Sequence, residues 1–175
     1  MGEAEARPFL EAGERHLGAG DYSAAEEAFR GAVAAAPESA VARSKLGVAL
    51  AHQGQLDAAL AEFSKAIALQ PGYAPAYSNL GNAYRQKGML DEALAAYERA
   101  VAIDPDYWVA HQNLGALYKQ MGRIGEAVEH FKKATRLSVR RPERPMAGAR
   151  RGGCFPRVAA AAVVAAGVLL WTLQV

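Results

Sequence analysis

Residues 74–107 read APAYSNLGNAYRQKGMLDEALAAYERAVAIDPDY, and this stretch decides the fold. Tyr77, Leu80, Gly81 and Tyr84 recur at spacings of three and four, which lines them along one stripe of a helix. After Gly88, the residues Leu90, Ala93, Leu94, Tyr97, Ala100 and Val101 form a second stripe, closed by Asp104-Pro105, where proline has no backbone donor to continue the helix. The stretch therefore encodes two amphipathic helices, A and B, around a glycine turn. Gly81 and Ala93 are expected where A and B cross closely, with Tyr77, Leu80 and Tyr97 filling the flanking space.

The same pattern recurs in both directions at an interval of 34 residues. Gly13, Gly47, Gly81 and Gly115 form one column, and Gly20, Gly54, Gly88 and Gly122 another. Ala25, Ala59, Ala93 and Ala127 follow, then Phe29, Phe63, Tyr97 and Phe131, then Ala32, Ala66, Ala100 and Ala134. A fixed period of this length marks a solenoid, in which each unit buries its apolar face only against its neighbours. Both terminal units depart from the pattern. His16 stands where the others have Leu50, Tyr84 and Tyr118, and Val139 replaces the closing Pro37, Pro71 and Pro105, so the last helix is expected to run on toward Arg140. Ser23, Asp57 and Asp91 are candidate N-caps of the B helices, with Ser23 and Glu26 at capping-box spacing; Gly125 breaks the series.

With Leu-Gly, Tyr, Gly, Ala, Phe/Tyr, Ala and Pro in this order, the chain resembles the tetratricopeptide-repeat family over residues 6–141. The resemblance implies an all-α, right-handed superhelical solenoid of four helix-turn-helix repeats, about 6–39, 40–73, 74–107 and 108–141. It also implies a concave groove lined by A helices that binds a peptide or helix of another protein. The groove residues expected on that basis are Ser44, Val48 and His52 in the second repeat, Ser78, Asn79, Asn82, Arg85 and Gln86 in the third, and Gln112, Asn113, Lys119 and Gln120 in the fourth. This surface is polar and mildly basic: its amides suit a peptide backbone, and Arg85 and Lys119 suit acidic side chains or a terminal carboxylate. Chaperone-binding members of the family hold such a carboxylate with inward Lys, Arg and Asn. Asn79, Asn82 and Asn113 resemble the Asn component, but Leu10, Ser44, Ser78 and Gln112 stand where the Lys would be.

Composition narrows the rest. Of 175 residues, 51% are hydrophobic, enough to bury a core. The net charge of +2 hides an asymmetry: residues up to Val139 sum to −3, and the remainder, with Arg140, Arg141, Arg144, Arg150, Arg151 and Arg157 against Glu143, to +5. The single Cys154 excludes an internal disulfide and a multi-cysteine metal site. Met1–Arg7 is acidic without an apolar run, so no secretory signal is expected, and Ala6 occupies the place where a myristoylation motif wants Ser or Thr. His16 is read as lying on the core stripe, and His52, His111 and His130 as isolated from one another, without carboxylates or Cys at ligand spacing. No enzyme constellation, cofactor, metal, small-molecule substrate or nucleic-acid partner is therefore expected. Lys132, Lys133 and Arg136 form only a short basic patch.

Beyond a basic linker at 142–157, residues 158–175 run without a charge through six alanines, Trp171 and a Val/Leu series. As a helix this run spans about 27 Å, close to a hydrocarbon core of about 30 Å, and the arginines before it satisfy the positive-inside rule. The reading is a transmembrane tail anchor that leaves the repeats cytoplasmic, on a scaffold that binds a protein partner. The alternative is an accessory subunit of a membrane-associated enzyme or of a secretion or envelope assembly system.

Overall fold

The computed structural model describes residues 2–140, and these are all-α, with no strand. Eight helices follow in order: α1 (Glu3–Gly18), α2 (Tyr22–Ala35), α3 (Ala40–His52), α4 (Leu56–Leu69), α5 (Ala74–Gln86), α6 (Leu90–Ile103), α7 (Trp108–Gln120) and α8 (Ile124–Arg140). Odd-numbered helices correspond to A and even-numbered ones to B. Each helix packs on the next, and α1, α3, α5 and α7 also touch in succession, whereas among the described residues the even-numbered helices do not touch one another. The odd-numbered helices therefore line the tighter, inner side of the stack.

Two glycine columns set this geometry for different reasons. Gly20, Gly54, Gly88 and Gly122 have φ between 76° and 80°, the left-handed region that only glycine enters without a steric penalty. At each, two backbone bonds close the preceding helix: Met89 N–H reaches Tyr84 O at 3.0 Å and Gly88 N–H reaches Arg85 O at 3.1 Å, with equivalents at the other three turns. Gly13, Gly47, Gly81 and Gly115 instead lie beneath an aromatic ring. A Cβ on Gly81 would sit 2.7 Å from Tyr97 Cδ1, and one on Gly47 would sit 2.6 Å from Phe63 Cε1. Small and large residues thus interlock once per repeat, as the column pattern predicts, and Ala93 and Tyr97 are fully buried beside the crossing.

The caps differ from expectation. Because the glycine turn uses the following residue to close the A helix, the B helix begins at once. Its N-caps are Asp21, Gln55 and Met89, and Asp21 accepts from Ala24 N–H at 3.1 Å. Ser23, Asp57 and Asp91 lie farther on, inside the first turn. There Asp57 and Asp91 favour the helix dipole, and Asp57 pairs with Lys87. Glu26 accepts from Gln53 at 2.7 Å and pairs with Arg30 at 2.6 Å, so it closes no capping box. The last helix does run on to Arg140 in the absence of a closing proline.

No helix among the described residues is long and apolar enough to cross a membrane. The linker at 142–157, Cys154 and the apolar run at 158–175 lie outside the described residues.

Candidate peptide-binding groove

The inner helices bring seven of the expected residues to one hollow of about 340 Å³: Val48 and His52 from α3, Asn79, Asn82, Arg85 and Gln86 from α5, and Asn113 from α7. Ala51 completes the wall, and the buried Phe63 forms part of the lining. The amides are held at one end and free at the other. Tyr97 donates its hydroxyl to Asn82 Oδ1 at 2.6 Å, which leaves the Asn82 N–H groups for the groove. Burial pushes the Tyr97 hydroxyl up to about 12, against the opposing pull of the Arg85 charge, so it remains a donor at neutral pH. Asn79 Nδ2 donates to Ser44 Oγ at 3.2 Å and Asn113 Nδ2 to Ser78 Oγ at 3.0 Å, which leaves both Oδ1 atoms as acceptors without a partner among the described residues.

Ser44 and Ser78 do not belong to the exposed surface. They are 2% and 1% exposed and act as the sockets that position Asn79 and Asn113. Gln112 lines a different, smaller hollow with Trp108 and α8, while Lys119 and Gln120 are exposed at the end of α7 and do not line the hollow. His52 stacks on Tyr22, with ring centroids 4.7 Å apart and planes 9° from parallel. A larger hollow, of about 500 Å³, lies against α1 and the start of α3, but Glu3, Arg7 and Ser39 are its only polar side chains and it holds none of the amides.

Comparison with known proteins agrees with this architecture. Four family profiles described as TPR repeat or tetratricopeptide repeat match residues 10–74, 62–95, 81–122 and 109–138. The crystal structure of MamA is 33% identical, with a TM-score of 0.64, over 77% of this chain and 79% of MamA. The chain is a tetratricopeptide-repeat protein. A thermophilic protein of the same family, TTC0263 from Thermus thermophilus, is 26% identical with a TM-score of 0.71, covering 77% of this chain and 75% of that one. The first repeat domain of Spaghetti (RPAP3), bound to the HSP90 peptide SRMEEVD, is 24% identical with a TM-score of 0.62, over 69% and 95% of the two chains, and shows likeness of fold alone. No curated protein sequence matches the chain.

Proteins of this family are protein-interaction scaffolds, and among the described residues no group of three or more His, Cys, Asp or Glu is placed to hold a metal ion. One polar cluster of this tetratricopeptide-repeat protein lies outside the groove and differs from the sequence reading. His111 and His130 are not isolated: their Nδ1 atoms are 3.0 Å apart, and His111 Nε2 is 3.0 Å from Pro105 O. Two repeats earlier the same columns hold Arg43 and Glu62. Arg43 donates to Pro37 O at 3.1 Å and pairs with Glu62 at 3.3 Å, and Lys65 closes on the same carboxylate at 2.6 Å. Arg43 and Glu62 are the one polar counterpart of the pair in the sequence, since the same columns hold Phe9 and Ala28 in the first repeat and Tyr77 and Ala96 in the third.

Proposed function

We propose that this tetratricopeptide-repeat protein is an adaptor that holds an extended peptide or a helix of a partner protein along α3, α5 and α7, with no chemistry of its own. The observation that carries the reading is the set of half-anchored amides. An extended backbone alternates N–H and C=O, and the groove offers acceptors at Asn79 and Asn113 and donors at Asn82. Arg85, which forms no ion pair among the described residues, suits an acidic side chain or a terminal carboxylate. A solenoid of the same fold holds a peptide in the Spaghetti complex, which fits this reading without assigning that ligand here.

The domain plan proposed with it comprises four repeats over 6–141, a basic linker over 142–157 and a tether over 158–175 that anchors the protein in a membrane with the repeats on the cytoplasmic side. The tether rests on sequence: an uncharged apolar run of nearly membrane-spanning length behind an arginine cluster.

The groove reading is tested by quantifying partner capture from lysate with Arg85→Glu and Lys119→Glu as separate variants. Arg85→Glu is expected to reduce capture at least tenfold and Lys119→Glu to change it little, because only Arg85 lines the hollow; equal capture by both would remove the groove from consideration. Membrane fractionation with an alkaline carbonate wash, comparing the full chain with one ending at Arg157, tests the tether. Retention of the full chain alone is expected, and loss of both from the pellet would refute it.

A further inference from the structure

The outer side of the stack carries a second hollow, of about 520 Å³, between Val101 of α6 and the face of α8 that bears Glu129, Lys132, Lys133 and Arg136, with His111 and His130 in its wall; Glu129, its one carboxylate, is held by Lys132. It shares no residue with the groove on α3, α5 and α7. The second repeat carries a charged counterpart at the same positions, 68 residues earlier, where the first and third repeats have Phe9 and Ala28, and Tyr77 and Ala96. Arg43, Glu62 and Lys65 form a carboxylate bracketed by two cations. In the fourth repeat the corresponding residues are His111, His130 and Lys133, so an imidazole stands where the second repeat has its carboxylate, while the lysine is the same in both. Lys133 and Arg136 form no ion pair among the described residues, whereas Lys132 is engaged by Glu129 at 3.0 Å.

Hydrogen bonding fixes which nitrogen is free. His111 Nε2–H donates to the Pro105 carbonyl, so His111 Nδ1 is an acceptor and His130 Nδ1–H donates to it. In the uncharged pair the remaining nitrogen, His130 Nε2, carries a lone pair. A proton added there leaves both existing bonds intact and converts the nitrogen into a charged donor. We propose that this hollow binds a tetrahedral oxyanion, the phosphate group of a small soluble molecule, between Lys133, Arg136 and His130, and that binding draws one proton from solvent onto His130 Nε2.

Burial first, then the neighbouring imidazole and Lys133, hold the His130 pKa below its ordinary value; burial is also the main cause for His111, where the Pro105 carbonyl opposes it. From α8, Glu126 pulls His130 upward, but it is committed to Arg123; from α6 Glu98 pulls in the same direction, and Asp106, in the turn before α7, acts on His111. These carboxylates do not overcome the burial and the cations, and an anion seated among those cations adds to their pull and raises the His130 pKa. Ligand and proton therefore assist each other, and each must strengthen the other's binding by the same factor.

The test is a titration of the full chain with sodium sulfate, whose charge does not change across the neutral range, followed by the ring-nitrogen NMR signals of His111 and His130. Saturable binding is expected, with His130 titrating at higher pH when sulfate is present and affinity rising by up to about tenfold per unit of falling pH. Lys133→Met should weaken binding about tenfold, and His130→Gln should abolish its pH dependence. Arg136→Met, at an exposed position, gives the same reading should Lys133→Met unfold the last repeat. No saturable shift, or a pH dependence that survives His130→Gln, would overturn the proposal. Glycerol 3-phosphate is then compared with phosphatidylcholine vesicles containing phosphatidate. Binding of the soluble ester supports the proposal, and binding of the vesicles alone contradicts it.

Discussion

The hydroxyl of Tyr97 donates to Asn82 Oδ1 across 2.6 Å, and so ties a ring buried between α5 and α6 to an amide that lines the groove. The same ring lies over Gly81, where a Cβ would be 2.7 Å from Cδ1. One residue therefore sets both the helix crossing and the orientation of a groove donor. Tyr97→Phe keeps the ring and removes the hydroxyl, so denaturation should show a loss of only about 0.5–1.5 kcal/mol. Partner capture should fall further than that loss explains, because Asn82 is then free to rotate. Capture equal to that of the unaltered chain would show that Asn82 needs no orientation.

The two glycine columns should respond differently to alanine. Nothing lies within 4 Å of a Cβ on Gly88, so Gly88→Ala meets only the backbone penalty at φ 80°, about 1–2 kcal/mol. Gly81→Ala meets the Tyr97 ring, an overpacking that costs about 1–3 kcal/mol. Adding Tyr97→Leu should recover part of the Gly81→Ala loss and simply add to the Gly88→Ala loss. Chemical denaturation of the three single and two double variants measures this, and additivity in both pairs would refute the crossing geometry.

The socket for Asn113 is read by Ser78→Ala. Removing the buried acceptor should cost about 1 kcal/mol and free the Asn113 amide, which the side-chain NMR signals of Asn113 report directly. An Asn113 amide that stays as ordered as before would show that α7 alone positions it.

Much of this was legible in the sequence, because the 34-residue columns report packing. Gly81, Ala93 and Tyr97 recur for steric reasons, and steric reasons are what a period records. The misreadings have separate causes. Ser44 and Ser78 face inward on a helical wheel, but the next inner helix covers them, and that contact joins Ser44 to Asn79 and Ser78 to Asn113 in the following unit. Asp57 and Asp91 look like caps until the glycine turn shortens the connection by using the residue after it. The His111–His130 pair lies in columns that hold Phe9, Arg43 and Tyr77, and Ala28, Glu62 and Ala96, in the other repeats, so no recurring residue type announced it.

The histidine pair also predicts a dependence of stability on pH in the absence of any ligand. Both imidazoles are held below their ordinary pKa, chiefly by burial, so over the window between that value and the lower folded one the unfolded chain binds more protons than the folded chain. Stability is complete above the ordinary histidine range and is lost as pH falls through it. Melting temperature measured from neutral to mildly acidic pH should therefore drop, and His111→Gln with His130→Gln should flatten that part of the curve. A stability that rises on acidification would contradict a neutral pair of one buried and one half-buried imidazole.

The central claim is that a protein partner occupies the inner face of α3, α5 and α7. Site-specific photocrosslinking tests it most directly, with a benzophenone side chain placed at Gln86, which is exposed at the hollow, or at Glu92, which is exposed in the first turn of α6. A crosslinked partner from Gln86 that is lost on Arg85→Glu, together with none from Glu92, is the predicted result; the same adduct from Glu92 and none from Gln86 would contradict the groove assignment.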